Sequence, residues 1–122
     1  MGKILIVTKE KEILEKFLNC ATGYGYDCEG FLWTKVEVLI KLLNKFNNLE
    51  ILVLEITEPN FEVKKFLKIL KDKFKDCKTL LLLTKIDRTI EDFILEYSID
   101  AYLTFPILPS QFLRSLYILK QS

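Results

Sequence analysis

The stretch "ILVLEITEP", Ile51 to Pro59, decides the fold. Four apolar residues run into Glu55, followed after a short spacing by a second acid, Glu58, and Pro59. An apolar run without polar alternates reads as a strand buried on both faces, the signature of a parallel sheet covered by helices. The residue at the carboxyl end of such a strand faces the crevice where open α/β sheets bind ligands. Here that residue is a carboxylate, Glu55, and the rest of the chain determines what surrounds it.

Working outward, strand and helix patterns alternate. "KILIVT" (Lys3 to Thr8) reads as a buried strand, and Ile13, Leu14, Phe17, Leu18 and Ala21 then recur at helical spacing until "GYGY" stops them. "DCEGFL" is a short second strand, followed by the helical stripe Val36, Leu39, Ile40, Leu43 and Phe46. After the third strand, Val63, Phe66, Leu67, Leu70 and Phe74 mark helix three and "TLLLLT" is strand four. Ile90, Phe93, Ile94 and Tyr97 mark helix four, with Thr89 as its expected cap and Asp92 three residues on. "IDAYLTF" is strand five, and Pro109 opens a last helix carrying Phe112, Leu113, Leu116 and Leu119. Five strands alternating with five helices predict one doubly wound, flavodoxin-like α/β domain over residues 1–122. The expected strand order is 2-1-3-4-5, with helices on both faces, which brings the ends of strands one, three and four to one crevice.

Composition narrows the function classes. The 122 residues are half apolar, enough for a core without disulfides or metal staples. Eighteen basic residues against seventeen acidic ones leave a net charge of +1, so no global field points to nucleic acid, a membrane or an acidic substrate. Cys20, Cys28 and Cys77 are widely spaced and the chain has no histidine, so neither a zinc pattern nor a disulfide framework exists. Buried packing is expected of each thiol, and a reducing, cytoplasmic setting of the whole. No apolar run approaches the roughly 20 residues that span a bilayer.

The order and spacing of several landmarks resemble the receiver domain of bacterial response regulators, from Lys3 to about Leu119. "GYDCEG" follows helix one; "ILVLEITEP" stands where the family has an aspartate four residues before a proline; Thr84 ends "LLLLT"; and "DAYLTFP" matches an aromatic three residues before a lysine-proline pair. The resemblance implies a signalling module, and in a working receiver an acidic pair after strand one holds Mg²⁺, the strand-three aspartate takes a phosphoryl group and the lysine after strand five neutralises it.

In this chain every chemical position differs. The acidic pair falls on Thr8 and Lys9, the acceptor on Glu55 and the lysine on Phe105; the usually small residue after Thr84 is Lys85. A lysine ammonium repels the cation that carboxylates would bind, and a carboxylate one methylene longer loses the in-line geometry of phosphoryl transfer. No metal and no cofactor are expected, since "TKEKE" also lacks the glycines of a flavodoxin-type phosphate loop. Glu55 then has two readings: a fixed imitation of the phosphorylated state, or one half of an ion pair with Lys9 or Lys85.

Thr84 and Tyr102 match the family's switch hydroxyl and switch aromatic; a polar strand end and a half-buried aromatic are the plainer alternatives. The resemblance implies output through the face of helix four, strand five and helix five, where Leu95, Leu108, Leu113 and Tyr117 are expected to form an apolar patch. A protein partner or a second copy is expected there. Lys64, Lys68, Lys71 and Lys75 form a stripe on helix three, diluted by Glu62, Asp72 and Asp76, which reads as a solvated face and not a nucleic-acid footprint. The expectation is a degenerate, non-enzymatic receiver acting by protein contact; the alternatives are a phosphorylatable receiver with a non-standard acceptor and a small-ligand binding domain.

Overall fold

The computed structural model describes residues 2–121. Strands and helices alternate throughout: β1 (Lys3–Thr8), α1 (Lys11–Gly23), β2 (Cys28–Leu32), α2 (Val36–Leu43), β3 (Leu49–Glu55), α3 (Phe61–Lys73), β4 (Lys78–Leu83), α4 (Arg88–Glu96), β5 (Ala101–Thr104) and α5 (Pro109–Gln121). Every strand pairing is parallel and the sheet order is β2-β1-β3-β4-β5, as the alternation predicts.

The period-two geometry of strands divides the apolar runs between two cores. Leu5, Val7, Leu52, Leu54, Leu81 and Leu83 face α2, α3 and α4. Ile4, Ile6, Ile51, Val53, Leu80 and Leu82 face α1 and α5. The rings of Phe17 and Phe112 lie 4.6 Å apart and join α1 to α5 beneath the second face. Burying a side chain of this size contributes roughly 1.5–3 kcal/mol. At the far edge, β5 is covered on one side only: Ala101 and Leu103 meet the α1/α5 core, whereas Tyr102 and Thr104 point outward and are exposed.

Helix starts follow capping chemistry. Asn60 caps α3 by accepting the Val63 N–H at 3.0 Å. For α4 the expected cap, Thr89, is corrected: Asp87 holds the extended cap conformation and its Oδ1 accepts the Ile90 N–H at 2.9 Å. Both residue types cap, but an ionised carboxylate also favours the positive end of the helix dipole, and Thr89 becomes part of the first turn. Leu108 precedes Pro109 of α5, and its N–H is taken by the Gln111 side chain at 2.9 Å, one half of a capping box. Among the described residues no helix is long and apolar enough to cross a membrane.

Candidate functional site

The ends of β1, β3 and β4 converge, and the side chains there are held mostly by backbone. Thr8 is fully buried and its hydroxyl donates to the Glu10 carbonyl at 3.1 Å, tightening the turn into α1. Glu55, only 8% exposed at the end of β3, accepts the Lys9 backbone N–H on Oε1 at 2.8 Å. The Lys9 ammonium turns away and donates to the Thr57 hydroxyl in solvent. Lys85 lies 3.8 Å from Asp87. The expected ion pair of Glu55 with Lys9 or Lys85 is therefore corrected: among the described residues no cationic side chain pairs with it. A backbone donor is already fixed by the fold, whereas an ammonium would have to give up water and side-chain freedom to reach a buried carboxylate.

Trp33, the chain's only tryptophan, was not singled out by sequence reasoning. Its backbone N–H donates to the Thr8 carbonyl at 2.8 Å and its indole Nε1 donates to the Glu55 carbonyl at 2.7 Å. Its ring meets Phe66 edge-on at 5.9 Å. Trp33 thus joins the ends of β1 and β3 from the side of β2. Its position directly after the edge strand, next to the crevice, was the available signal. A hollow of about 420 Å³ opens beside it, lined by Lys9, Trp33, Thr57, Glu58 and Asn60, and a second of about 400 Å³ lies between Thr57 and Lys85.

The positions that the family resemblance would give to Mg²⁺ do not fit that ion. The Thr8 hydroxyl is committed to Glu10, Lys9 is cationic, and one oxygen of Glu55 is taken by Lys9 N–H. Mg²⁺ requires several oxygens in near-octahedral array, and no group of three or more metal-ligating side chains occurs among the described residues. Phe105, at the position that the resemblance would give to a lysine, is half-buried and packs on the α1/α5 core. Thr84 and Lys85 are exposed at the end of β4.

The interaction residues divide. Leu95 is 80% exposed on α4, Leu108 is 62% exposed before α5, and Tyr102 is 47% exposed on β5. Leu113 and Tyr117 do not join them: with Tyr24 and Arg114 they line a hollow of about 370 Å³ on the α1 flank of α5. The cause is helical rotation. With Phe112, Leu116 and Leu119 inward, steps of 3.6 residues per turn send Leu113, Tyr117 and Lys120 to one flank, where Lys120 lies over the Tyr26 ring at 5.3 Å. The flank toward β5 receives Ile118, which is 54% exposed and which sequence reasoning passed over.

Of the cysteines, Cys77 alone is buried; Cys20 and Cys28 are half-exposed, which corrects the expectation of three buried thiols. Cys28 lies on the edge strand, where no neighbouring strand covers its outer flank. Burial pushes the Cys28 thiol up to about 11 and that of Cys77 up to about 12.

No family model matches the sequence, and no curated protein matches it either. Solved structures do. A response regulator receiver domain protein (CheY-like) from Methanospirillum hungatei is 25% identical, with a TM-score of 0.80 over 99% of this chain and 95% of its own. The chemotaxis response regulator CheY4 of Vibrio cholerae is 17% identical, with a TM-score of 0.81 over 98% of each chain. A putative pilus assembly protein (CpaE) from Burkholderia thailandensis, 11% identical, has a TM-score of 0.80 over the full length of both chains. The chain is thus a five-stranded domain of the CheY-like, flavodoxin-like fold whose structural neighbours include receiver domains of response regulators.

Proposed function

We propose that the protein is a pseudo-receiver: a non-catalytic signalling module that acts by protein contact, without Mg²⁺-dependent phosphorylation. The observation that carries this reading is the engagement of Glu55. A carboxylate stands where the family's phosphoacceptor aspartate stands, but its Oε1 is closed on the Lys9 N–H. By the resemblance, Lys9 replaces one of the metal-binding acids, with its ammonium turned to Thr57, and Phe105 replaces the phosphate-neutralising lysine. Phosphoryl transfer is mostly positioning and charge neutralisation, and both are missing here. The Glu55 carboxylate, fixed at the strand end, serves instead in the place of a transient acyl phosphate.

The output surface in this proposal is the face of α4, β5 and α5, centred on Leu95, Tyr102 and Leu108 with Ile118 on the adjacent flank of α5. Several exposed apolar side chains on neighbouring elements mark a contact surface better than any one of them. The occupant is a protein partner or a second copy, and nucleic acid and membrane have no part in it.

Incubation with acetyl phosphate or phosphoramidate and Mg²⁺, followed by intact-mass spectrometry, tests the central point. No adduct is expected. Because cation site and acceptor act as a unit, Glu55→Asp alone stays inert, and acceptance returns only with Thr8→Asp, Lys9→Asp, Glu55→Asp and Phe105→Lys together. A Mg²⁺-dependent phosphate on Glu55 of the wild type overturns the proposal. A second reading, binding of a small ligand, has the hollow beside Trp33 in its favour, and a ligand-dependent rise in Tm tests it.

A further inference from the structure

The sheet has a free edge at β2, and two backbone bonds fix which of its groups are unpaired. Ile4 N–H donates to the Asp27 carbonyl and Trp33 N–H to the Thr8 carbonyl, each at 2.8 Å. In a parallel pair, alternate residues direct both backbone groups to the same neighbour. Asp27, Glu29, Phe31 and Trp33 therefore bond to β1, and Cys28, Gly30 and Leu32 present N–H and C=O to the outside. No strand lies beyond them, and no backbone partner beyond β1 is found for them among the described residues.

This edge is the floor of a groove of about 620 Å³, the most spacious of the hollows described here. Its walls are apolar on both sides: Leu14 and Leu18 from α1, and Val38, Leu39 and Leu42 from α2. Gly30 lets the α1 side chains lie close on this floor: a Cβ there would meet Leu14 Cδ1 at 2.6 Å and displace that side chain. An added strand would place alternate side chains against α1 and α2 while its backbone paired with Cys28, Gly30 and Leu32.

Charge selects the occupant. Lys11, Lys41 and Lys45 rim the groove against one acid, Glu15. Lys11 is loosely paired with Glu15 at 3.9 Å, and Lys41 and Lys45 form no ion pair among the described residues. Lys11 stands at the strand-end side of the sheet and Lys41 and Lys45 at the opposite end, because α1 starts and α2 finishes there. Antiparallel pairing of two copies about Gly30 would set Lys11 of one against Lys41 and Lys45 of the other. Lysines so placed oppose self-association and attract acids.

We propose that the β2 edge is a docking site for an extended, acid-flanked segment of another protein, which adds to the sheet as a sixth strand between α1 and α2. This surface is separate from the α4, β5 and α5 face.

The probe is an acetylated and amidated synthetic peptide, Asp-Glu-Val-Thr-Val-Thr-Val-Glu-Asp, added to the intact protein and followed by amide hydrogen exchange resolved by NMR. Slowing of the Cys28, Gly30 and Leu32 amides by about tenfold or more is expected at saturation, with little change at Glu29 and Phe31, which already bond to β1. Lys41→Glu with Lys45→Glu should weaken binding by about tenfold or more. Leu32→Pro removes an outward donor without touching a bond to β1, so the fold stays and binding falls. The same peptide with lysine in place of its acids should not bind. The proposal is overturned if the acidic peptide fails to bind at millimolar concentration, if protection appears at β5 instead, or if charge reversal leaves the affinity unchanged. Concentration-dependent dimerisation through β2 in the absence of peptide overturns it equally.

Discussion

The Glu55 carboxylate is held by the backbone of Lys9 and not by its ammonium: the N–H donates at 2.8 Å while the side chain reaches the Thr57 hydroxyl. The lysine is therefore replaceable and the carboxylate is not. Glu55→Gln keeps an acceptor oxygen and should cost about 1 kcal/mol, the difference between a charged and a neutral acceptor. Glu55→Leu leaves the Lys9 N–H without its partner and should cost about 1–3 kcal/mol. Lys9→Met keeps the donor and should change stability by less than about 0.5 kcal/mol. Urea unfolding of the three variants ranks them, and a loss in Lys9→Met equal to that in Glu55→Leu would restore the ion pair.

What the sequence disclosed and what it concealed differ in range. The runs through Ile4 to Val7, Ile51 to Leu54 and Leu80 to Leu83 announce strands buried on both faces, because no polar residue interrupts them. The connecting stripes announce helices, and chirality leaves few topologies for such a chain. The convergence of Thr8, Lys9, Glu55 and Lys85 followed from that topology. Their pairing did not, because backbone donors carry no residue type: any amino acid at position 9 except proline presents the same N–H to Glu55. Trp33 was hidden for a related reason, since its partner is a carbonyl. Leu113 and Tyr117 do lie at the edge of the α5 stripe but on its α1 flank, because hydrophobicity marks the edges of a stripe and not which of them faces β5.

Thr79 offers a test of the core. It is fully buried on β4, its N–H is satisfied by Asp100 Oδ2 at 2.8 Å, and its hydroxyl has no hydrogen-bond partner among the described residues. Burying an unpaired hydroxyl costs roughly 1–3 kcal/mol, so Thr79→Val, which keeps the shape and removes the polar atom, should leave stability unchanged or raise it by about 1 kcal/mol. A loss of more than about 1 kcal/mol in denaturant titration would mean that the hydroxyl is bonded in solution, for which a buried water is the natural partner.

The buried Cys77 and half-exposed Cys28 thiols predict alkaline destabilisation. Burial chiefly raises the Cys77 thiol to about 12, with Lys71 pulling down and Asp100 pushing up; Cys28 rises to about 11, again chiefly by burial. In the unfolded chain both ionise near 9.0. Below that pH both states hold the proton and the contribution is fully present. Above it the unfolded chain releases protons that the folded chain keeps, so stability falls as pH rises from about 9 through 11 to 12. Cys77→Val should flatten this decline relative to the wild type in unfolding curves at successive pH values. Identical slopes would show that the Cys77 thiol ionises as freely in the folded protein as in the unfolded one.

The proposed output face makes a prediction that distinguishes the two flanks of α5. Leu95, 80% exposed, and Ile118, 54% exposed, belong to the side of α4 and β5, whereas Tyr117 sits with Tyr24 on the side of α1. Leu95→Glu with Ile118→Glu places two charges where an apolar contact would have to exclude water, and burying an unpaired charge is far costlier than losing a methyl contact. Self-association, or binding of an identified partner, should weaken by at least about tenfold, or 1.4 kcal/mol, in sedimentation measurements over a concentration series. Far-UV circular dichroism should be unchanged, because both side chains are more than half exposed. Tyr117→Glu is the control and should leave association intact. If Tyr117→Glu disrupts association and the double variant does not, the contact runs along α1 and α5, and the hollow lined by Tyr24, Leu113 and Arg114 is its centre.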